Sequence, residues 1–261
     1  AFLLTCSLML GGCGVKKEKE ADSELPKIVI GMDYFEPYSY QASDGEYKGI
    51  DVELAKEAFR RLGYRPKFEN IVWEDKDELL ADGTVDCLWS SYSMNGREDK
   101  YQWAGPYLYS RQMVVVKNES EIQTLSDLKG KRIAVQATTK AEDLFLHNIK
   151  SDLPQMQQVN CFSTTNEIYA ALRKSYVDAI AGHEAMLGSL VKEGKDAYRM
   201  LDESIYKSEL GVAFKKGTHE EVAADLTETL KKLQREGITE KIVTKYGLDA
   251  DEILPEGEQN E

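Results

Sequence analysis

Three serines and an arginine, Ser90-Ser91-Tyr92-Ser93 with Arg97 four residues on, form a group able to hold an anion. A planar guanidinium matches a carboxylate through two parallel N–H donors, and the hydroxyls add neutral donors beside it. A second anion-accepting feature is Gln136-Ala137-Thr138-Thr139-Lys140, which joins an expected strand to an expected helix. The first N–H groups of a helix lack intrahelical partners, and the helix dipole favours negative charge there. Asp33, followed by Tyr34, Phe35 and Glu36, places carboxylates beside aromatic rings; Trp73 is another ring. Two carboxylates this close could act as acid and base. The patterns that accompany catalysis are missing, however. No G-x-S-x-G, H-E-x-x-H or phosphate-binding glycine loop occurs. The three histidines, His147, His183 and His219, are well separated in sequence. The four cysteines make no C-x-x-C pair and no Cys/His group, so neither a metal site nor a cofactor is expected.

The elements that must position these residues alternate in type. Lys27–Met32 reads as a strand and 51–63 as a helix with Leu54, Ala55, Ala58, Phe59 and Leu62 on its apolar face. On the same reading Asp51, Glu53, Lys56, Glu57 and Arg60 face water. Strands are expected over 66–72, 85–89 and 113–116, with a short helix over 76–81 between the first two. A second series follows: strands 132–136, 158–162, 178–182 and 210–214, interleaved with helices 140–148, 165–175 and 184–193. One long helix is expected over 220–246, and a frayed acidic tail from Asp249. This alternation predicts an α/β fold of mostly parallel sheets with helices on both faces, and two series predict two lobes. With 261 residues the chain has room for both. A net charge of -13 argues against nucleic acid, which is held by Lys/Arg-rich faces. Cys87 and Cys161 fall in strands of different lobes, so both are expected to be free, buried thiols.

The amino terminus is of another kind. Residues 1–10 are almost wholly apolar, too few to span a membrane at ~20 residues per span, and read as the core of a secretory signal. The Leu10-Gly11-Gly12-Cys13 run looks like a bacterial lipobox, which implies removal of 1–13 and a lipid anchor on Cys13. The charged linker over 14–25 would hold a folded domain off the membrane surface. The expected location is therefore extracytoplasmic, on the bacterial cell membrane.

Gly49-Ile50-Asp51-Val52-Glu53-Leu54 resembles the signature of the family 3 solute-binding proteins, the polar amino acid receptors of ABC transporters. The resemblance runs from about Pro26 to Leu248. It implies a type II periplasmic-binding-protein fold: two Rossmann-like lobes joined by two hinge strands, with the ligand between them. Lobe 1 would comprise 26–114 and 216–261, lobe 2 would comprise 119–210, and 115–118 and 211–215 would be the hinges. It further implies a monomer that captures a free amino acid, polar or cationic, and passes it to ABC permease subunits. A ligand-sensing receptor and a dehydratase-like enzyme are the alternatives on this fold.

By the same resemblance, Arg97 forks the ligand carboxylate, Ser93 adds hydroxyl and backbone N–H, and the Ser91 carbonyl takes the ammonium, with Ser90 in the same run. Gln136, Thr138 and Thr139 match the turn whose N–H groups receive the same carboxylate. Asp33 matches the residue that reads the ligand side chain. Either Tyr34 or Phe35 covers the ligand stem, and Trp73 forms the opposite wall. Two departures stand out. The Met94-Asn95-Gly96 spacer is one residue shorter than usual, and His183 stands where an Asp commonly pairs the ligand ammonium. A neutral imidazole supplies no charge. Glu184, or Asp33 with Glu36, would then compensate, or the ligand would be held differently.

Overall fold

The computed structural model describes residues 25–147, 149 and 152–255. The expected signal segment and Cys13 lie outside the described residues. In chain order the elements are β1 (Lys27–Met32), β2 (Tyr40–Gln41), β3 (Tyr47–Lys48), α1 (Ile50–Arg61), β4 (Arg65–Asn70), α2 (Lys76–Asp82), β5 (Cys87–Ser93) and β6 (Tyr101–Lys117). There follow β7 (Arg132–Gln136), α3 (Lys140–Phe145), β8 (Gln158–Phe162), α4 (Thr165–Arg173), β9 (Ala179–His183), α5 (Glu184–Glu193), β10 (Tyr198–Met200) and β11 (Tyr206–Lys215). Helices α6 (Glu220–Arg235), α7 (Ile238–Lys245) and α8 (Ala250–Ile253) end the chain.

The main sheet runs β4-β1-β5-β11-β6-β9-β7-β8, with β10 also on β6. Its two outer parts are parallel: β4, β1 and β5 at one end, β9, β7 and β8 at the other. The long antiparallel pair β6 and β11 joins them. Near their outer ends, β11 pairs β5 through Leu210–Phe214, and β6 pairs β9 through Gln112–Val116. Between these stretches, Leu108–Arg111 pairs with Lys207–Leu210. Of the residues expected at the first crossing, Val115 and Val116 pair with both β9 and β10, and Lys117 pairs with β10. The architecture is that of type II periplasmic-binding proteins.

Most expected elements form, and the differences have physical causes. The 220–246 helix breaks at Gly237, which adopts φ 70, a left-handed conformation that glycine enters without a Cβ penalty. The described part of the acidic tail, 249–255, is not frayed: Asp249 caps α8 by accepting from the Asp251 N–H, and Ile253 and Leu254 pack on the core. Strands β6 and β11 are far longer than the apolar runs that announced them, because pairing along their whole length compensates for the polar residues they carry. Of the two thiols, only Cys87 is buried; Cys161, expected to be buried, is exposed on the outermost strand β8, although both are free.

Helix α1 buries Leu54, Ala55, Ala58 and Phe59 as its spacing requires, and each large apolar side chain contributes roughly 1.5–3 kcal/mol. Asp51 departs from that pattern. It is 1% exposed, not on the water-facing side. Gly49, just before α1, holds φ 121, and a Cβ there would collide with the Tyr38 carbonyl. Glycine is therefore required at this position, and the tight turn aims Asp51 inward at β5.

Candidate functional site

The carboxyl ends of β1 and β5 from one half face the carboxyl ends of β7 and β9 from the other. Open α/β sheets place their ligands at such strand ends. Here they line a narrow cleft built from residues of both halves.

One wall is built on β5. The serines were expected to leave the strand, but β5 continues through Ser93, and Ser90, Ser91 and Ser93 are all buried on the cavity wall. Ser91 has φ 44, unusual for a residue with a Cβ. Asp51 holds it there: Ser91 N–H donates to Asp51 Oδ2 (2.6 Å), and Tyr107 Oη donates to Asp51 Oδ1 (2.7 Å). Burial pushes the Asp51 carboxyl up to about 7 even though both donors favour its charged form. The motif that carried the resemblance thus acts by shaping the strand beneath the site. The Ser91 hydroxyl is buried and has no hydrogen-bond partner, a polar atom available to an incoming group.

Asp33, at the end of β1, also lies on the wall. Its N–H donates to Ser90 Oγ (3.3 Å), which pairs with Ser39 Oγ at 2.9 Å. Asp33 Oδ1 accepts from Tyr34 N–H (2.7 Å), and Oδ2 accepts from Gln136 Nε2 (2.5 Å). The last bond joins the halves. Burial raises the Asp33 carboxyl to about 6, and the Gln136 and Tyr34 donors hold it from rising further. Phe35 lines the cavity; Tyr34 does not, being 43% exposed with its hydroxyl on Glu36. Of the two rings, only Phe35 is on the wall. Trp73 lines the cavity and stacks edge-on to Tyr92 at 5.0 Å.

His183 ends β9 and is buried on the wall. Ser110 Oγ lies 2.9 Å from its Nδ1, and Gln112 Nε2 lies 3.2 Å from its Nε2. Burial, helped by the positive charge of Arg97, drives its pKa down to about 3, so the imidazole is neutral at physiological pH. Glu184 does not compensate. Arg111 grips it through two bonds of 2.7 and 2.5 Å, and it lies outside this cavity. Glu36 is likewise absent from the wall, leaving Asp33 as the carboxylate among the described lining residues.

The anion-holding residues are arranged differently from the sequence expectation. Arg97 is not on the cavity wall. Its Nη2 donates to Asp143 Oδ2 (2.6 Å), its Nη1 donates to the Ser93 carbonyl (3.1 Å), and the guanidinium rests 5.0 Å from the Tyr92 ring centre. Gln136 and Thr139 line the cavity; Thr138 does not. The Thr138 N–H is already taken by Glu142 Oε2 at 2.5 Å, and the Thr139 hydroxyl donates back to the Gln136 carbonyl at 2.7 Å.

The sequence had placed Lys140 in the anion-accepting turn, whereas Tyr92 and Lys76 were given no role. Lys140, only 3% exposed, lines the cavity. Tyr92 does too, held by Tyr101 through paired hydroxyls at 2.9 Å. Lys76, 2% exposed, reaches across from α2 to donate to Thr138 Oγ1 (2.8 Å) and to the Trp73 carbonyl (3.3 Å). A lysine at the polar end of a short helix gives no sequence signal of burial. Burial lowers the Lys76 ammonium to about 8. A base with a depressed folded-state pKa costs stability while charged, and that cost disappears as pH rises from about 8 towards 10.5. Lys76→Met is therefore expected to raise the melting temperature at pH 7 and to flatten its rise above pH 8, checked by thermal melts from pH 7 to 10.

Among the described residues no helix is long and apolar enough to cross a membrane, and no group of His, Cys, Asp or Glu could hold a metal ion. The chain matches the bacterial extracellular solute-binding proteins, family 3, over residues 28–249. It is 26% identical to the L-cystine-binding protein TcyJ of Escherichia coli K12 over 84% of this chain and 82% of that one. It is 25% identical to the L-cystine-binding protein TcyA of Bacillus subtilis 168 over 94% of each. A crystal structure of the substrate-binding protein of an amino acid ABC transporter superposes with TM-score 0.75 at 27% identity, covering 84% of this chain and 98% of the other. With the match spanning nearly all the described residues, the chain belongs to the bacterial extracellular solute-binding proteins, family 3.

Proposed function

We propose that this chain captures one free amino acid in the cavity between its halves and presents it to the membrane subunits of an ABC importer, held at the outer membrane face by a lipid on Cys13. The observation that carries the reading is the lining itself. Among the described lining residues a single carboxylate, Asp33, shares the wall with hydroxyl, amide and aromatic groups of both halves and with Lys140, behind which Asp143 and Arg97 pair off the wall. An amino acid carries an ammonium and a carboxylate at fixed spacing, and buried charges must be paired. Asp33 suits the ammonium. The Arg97 and Lys140 side suits the carboxylate. Trp73 and Phe35 exclude water between them, which strengthens both pairs.

With Asp33 committed to the ammonium, a cationic side chain finds no counter-charge on the wall. Of the polar and cationic side chains the sequence suggested, a neutral polar one is therefore favoured. The cystine-binding relatives agree with a ligand of no net positive charge. The described Ser–His pair, Ser110 with His183, favours binding over catalysis. Its ring is a weak base at a pKa of about 3, and Ser110 is 3% exposed.

Opening would pivot on the stretch where β6 and β11 pair chiefly with each other, about 105–111 and 206–209, and Asp33–Gln136 and Lys76–Thr138 would break with it. Ligand binding selects the closed arrangement. Thermal shift against the twenty amino acids, cystine and ornithine tests the reading. A bound amino acid stabilises by about 2.7 kcal/mol at a hundredfold excess over Kd. A melting temperature unmoved by every compound would refute it.

A further inference from the structure

Resting on the reading above that the halves close over an amino acid, we propose that Lys76 is a strut that resists closure, keeping the empty molecule open without touching the ligand. Lys76 opens α2 in one half; it is 2% exposed and off the cavity wall. A charge buried this deeply is ordinarily paired with an opposite one. Among the described residues Lys76 makes no ion pair. Its ammonium donates only to neutral oxygens, Thr138 Oγ1 at 2.8 Å and the Trp73 carbonyl at 3.3 Å. It also lies 5.3 Å and 5.9 Å from the ring centres of Trp73 and Tyr92.

The carboxylates around it are committed elsewhere. Asp77, the next residue, accepts from Lys100 Nζ at 2.8 Å and from the Tyr101 hydroxyl. Glu74 accepts from the Ser163 hydroxyl of the other half at 3.1 Å. Glu142 takes the Thr138 N–H. Burial above all, and then the cations Lys100 and Arg97, disfavour the charged form of Lys76.

This cost belongs to the closed arrangement. The two rings and the Trp73 carbonyl come from the same half as Lys76. Thr138 comes from the other, 62 residues along the chain. Separating the halves withdraws Thr138 and lets water return to the ammonium. One bond to a neutral hydroxyl replaces only part of that hydration. Lys76 therefore weights the balance towards the open form, and the contacts that a bound amino acid makes with both halves outweigh it. A protein whose closed form is sparsely populated binds more weakly in proportion.

Lys76→Met keeps most of the side-chain length and removes the charge; Lys76→Gln also keeps a donor for Thr138. Solution X-ray scattering of the ligand-free proteins is paired with calorimetric titration, using the amino acid that gives the largest thermal shift on wild type. Both variants are expected to bind about tenfold more tightly than wild type, as a closed share rising from about one in twenty to about one in two requires. Their ligand-free radius of gyration should then fall about halfway to that of loaded wild type. A purely structural lysine would move the melting temperature and leave this radius alone. Lys100→Met, which removes an exposed cation nearby, should match wild type in both measurements. An unchanged radius, or binding no more than about twofold tighter, overturns the proposal. If wild type binds no amino acid, the reading of the cavity falls, and the ligand-free radii alone decide whether Lys76 holds the halves apart.

Discussion

Asp33→Asn is expected to raise the Kd for the bound amino acid by about a hundredfold or more, because the ammonium is left buried without an opposite charge. The substitution keeps the shape and retains an oxygen that can accept from Gln136 Nε2, so the loss reports charge and not packing. The pH dependence follows from the same group. Burial raises the Asp33 carboxyl from 3.8 to about 6. A pKa raised on folding contributes stability that is present below 3.8 and lost as pH rises through about 6. The ligand ammonium reverses the preference by favouring the carboxylate. Binding should therefore be tight above pH 6, should release a proton near it, and should weaken about tenfold per unit as pH falls below it. Titrations from pH 5 to 7.5 in buffers of differing ionisation enthalpy measure both effects. A Kd independent of pH across that window would mean that the ammonium is held elsewhere.

The second large effect falls on stability. Asp51→Ala should cost about 3 kcal/mol, since it strands the Ser91 N–H and the Tyr107 hydroxyl in a buried setting. For a chain of this size that is roughly 6–12 °C in melting temperature. Ser91 would also relax from its positive φ, so the remaining folded protein should bind its amino acid more weakly. Because the Asp51 carboxyl moves from 3.8 to about 7 on folding, its contribution declines as pH rises across that range. The difference between wild type and variant should narrow from pH 4 to pH 7. A melting temperature within about 2 °C of wild type at pH 5 would show that Ser91 is held by other means.

How much was legible in the sequence can be judged residue by residue. The serine run, Trp73, Phe35 and Asp33 were named from the resemblance their motifs carry, and all of them line the cavity. Thr138, Tyr34 and Glu184 were chosen by the same logic and lie off it, each claimed by a nearer partner. Arg97 was the strongest candidate by chemistry. Its direction was set by a one-residue difference in a turn and by Asp143, 46 residues away. Lys76 carried no signal because local sequence cannot announce that a lysine will be buried; that depends on the second half arriving over it.

By itself the sequence determined the order of strands and helices, the apolar face of α1 and the two-series α/β plan, because hydrophobic periodicity acts over a few residues. Only the tertiary structure decided which charges face the cavity and which are spent on one another. Charge pairing acts through space over a few ångströms, and the competing partners of Arg97, Glu184 and Asp51 come from distant parts of the chain.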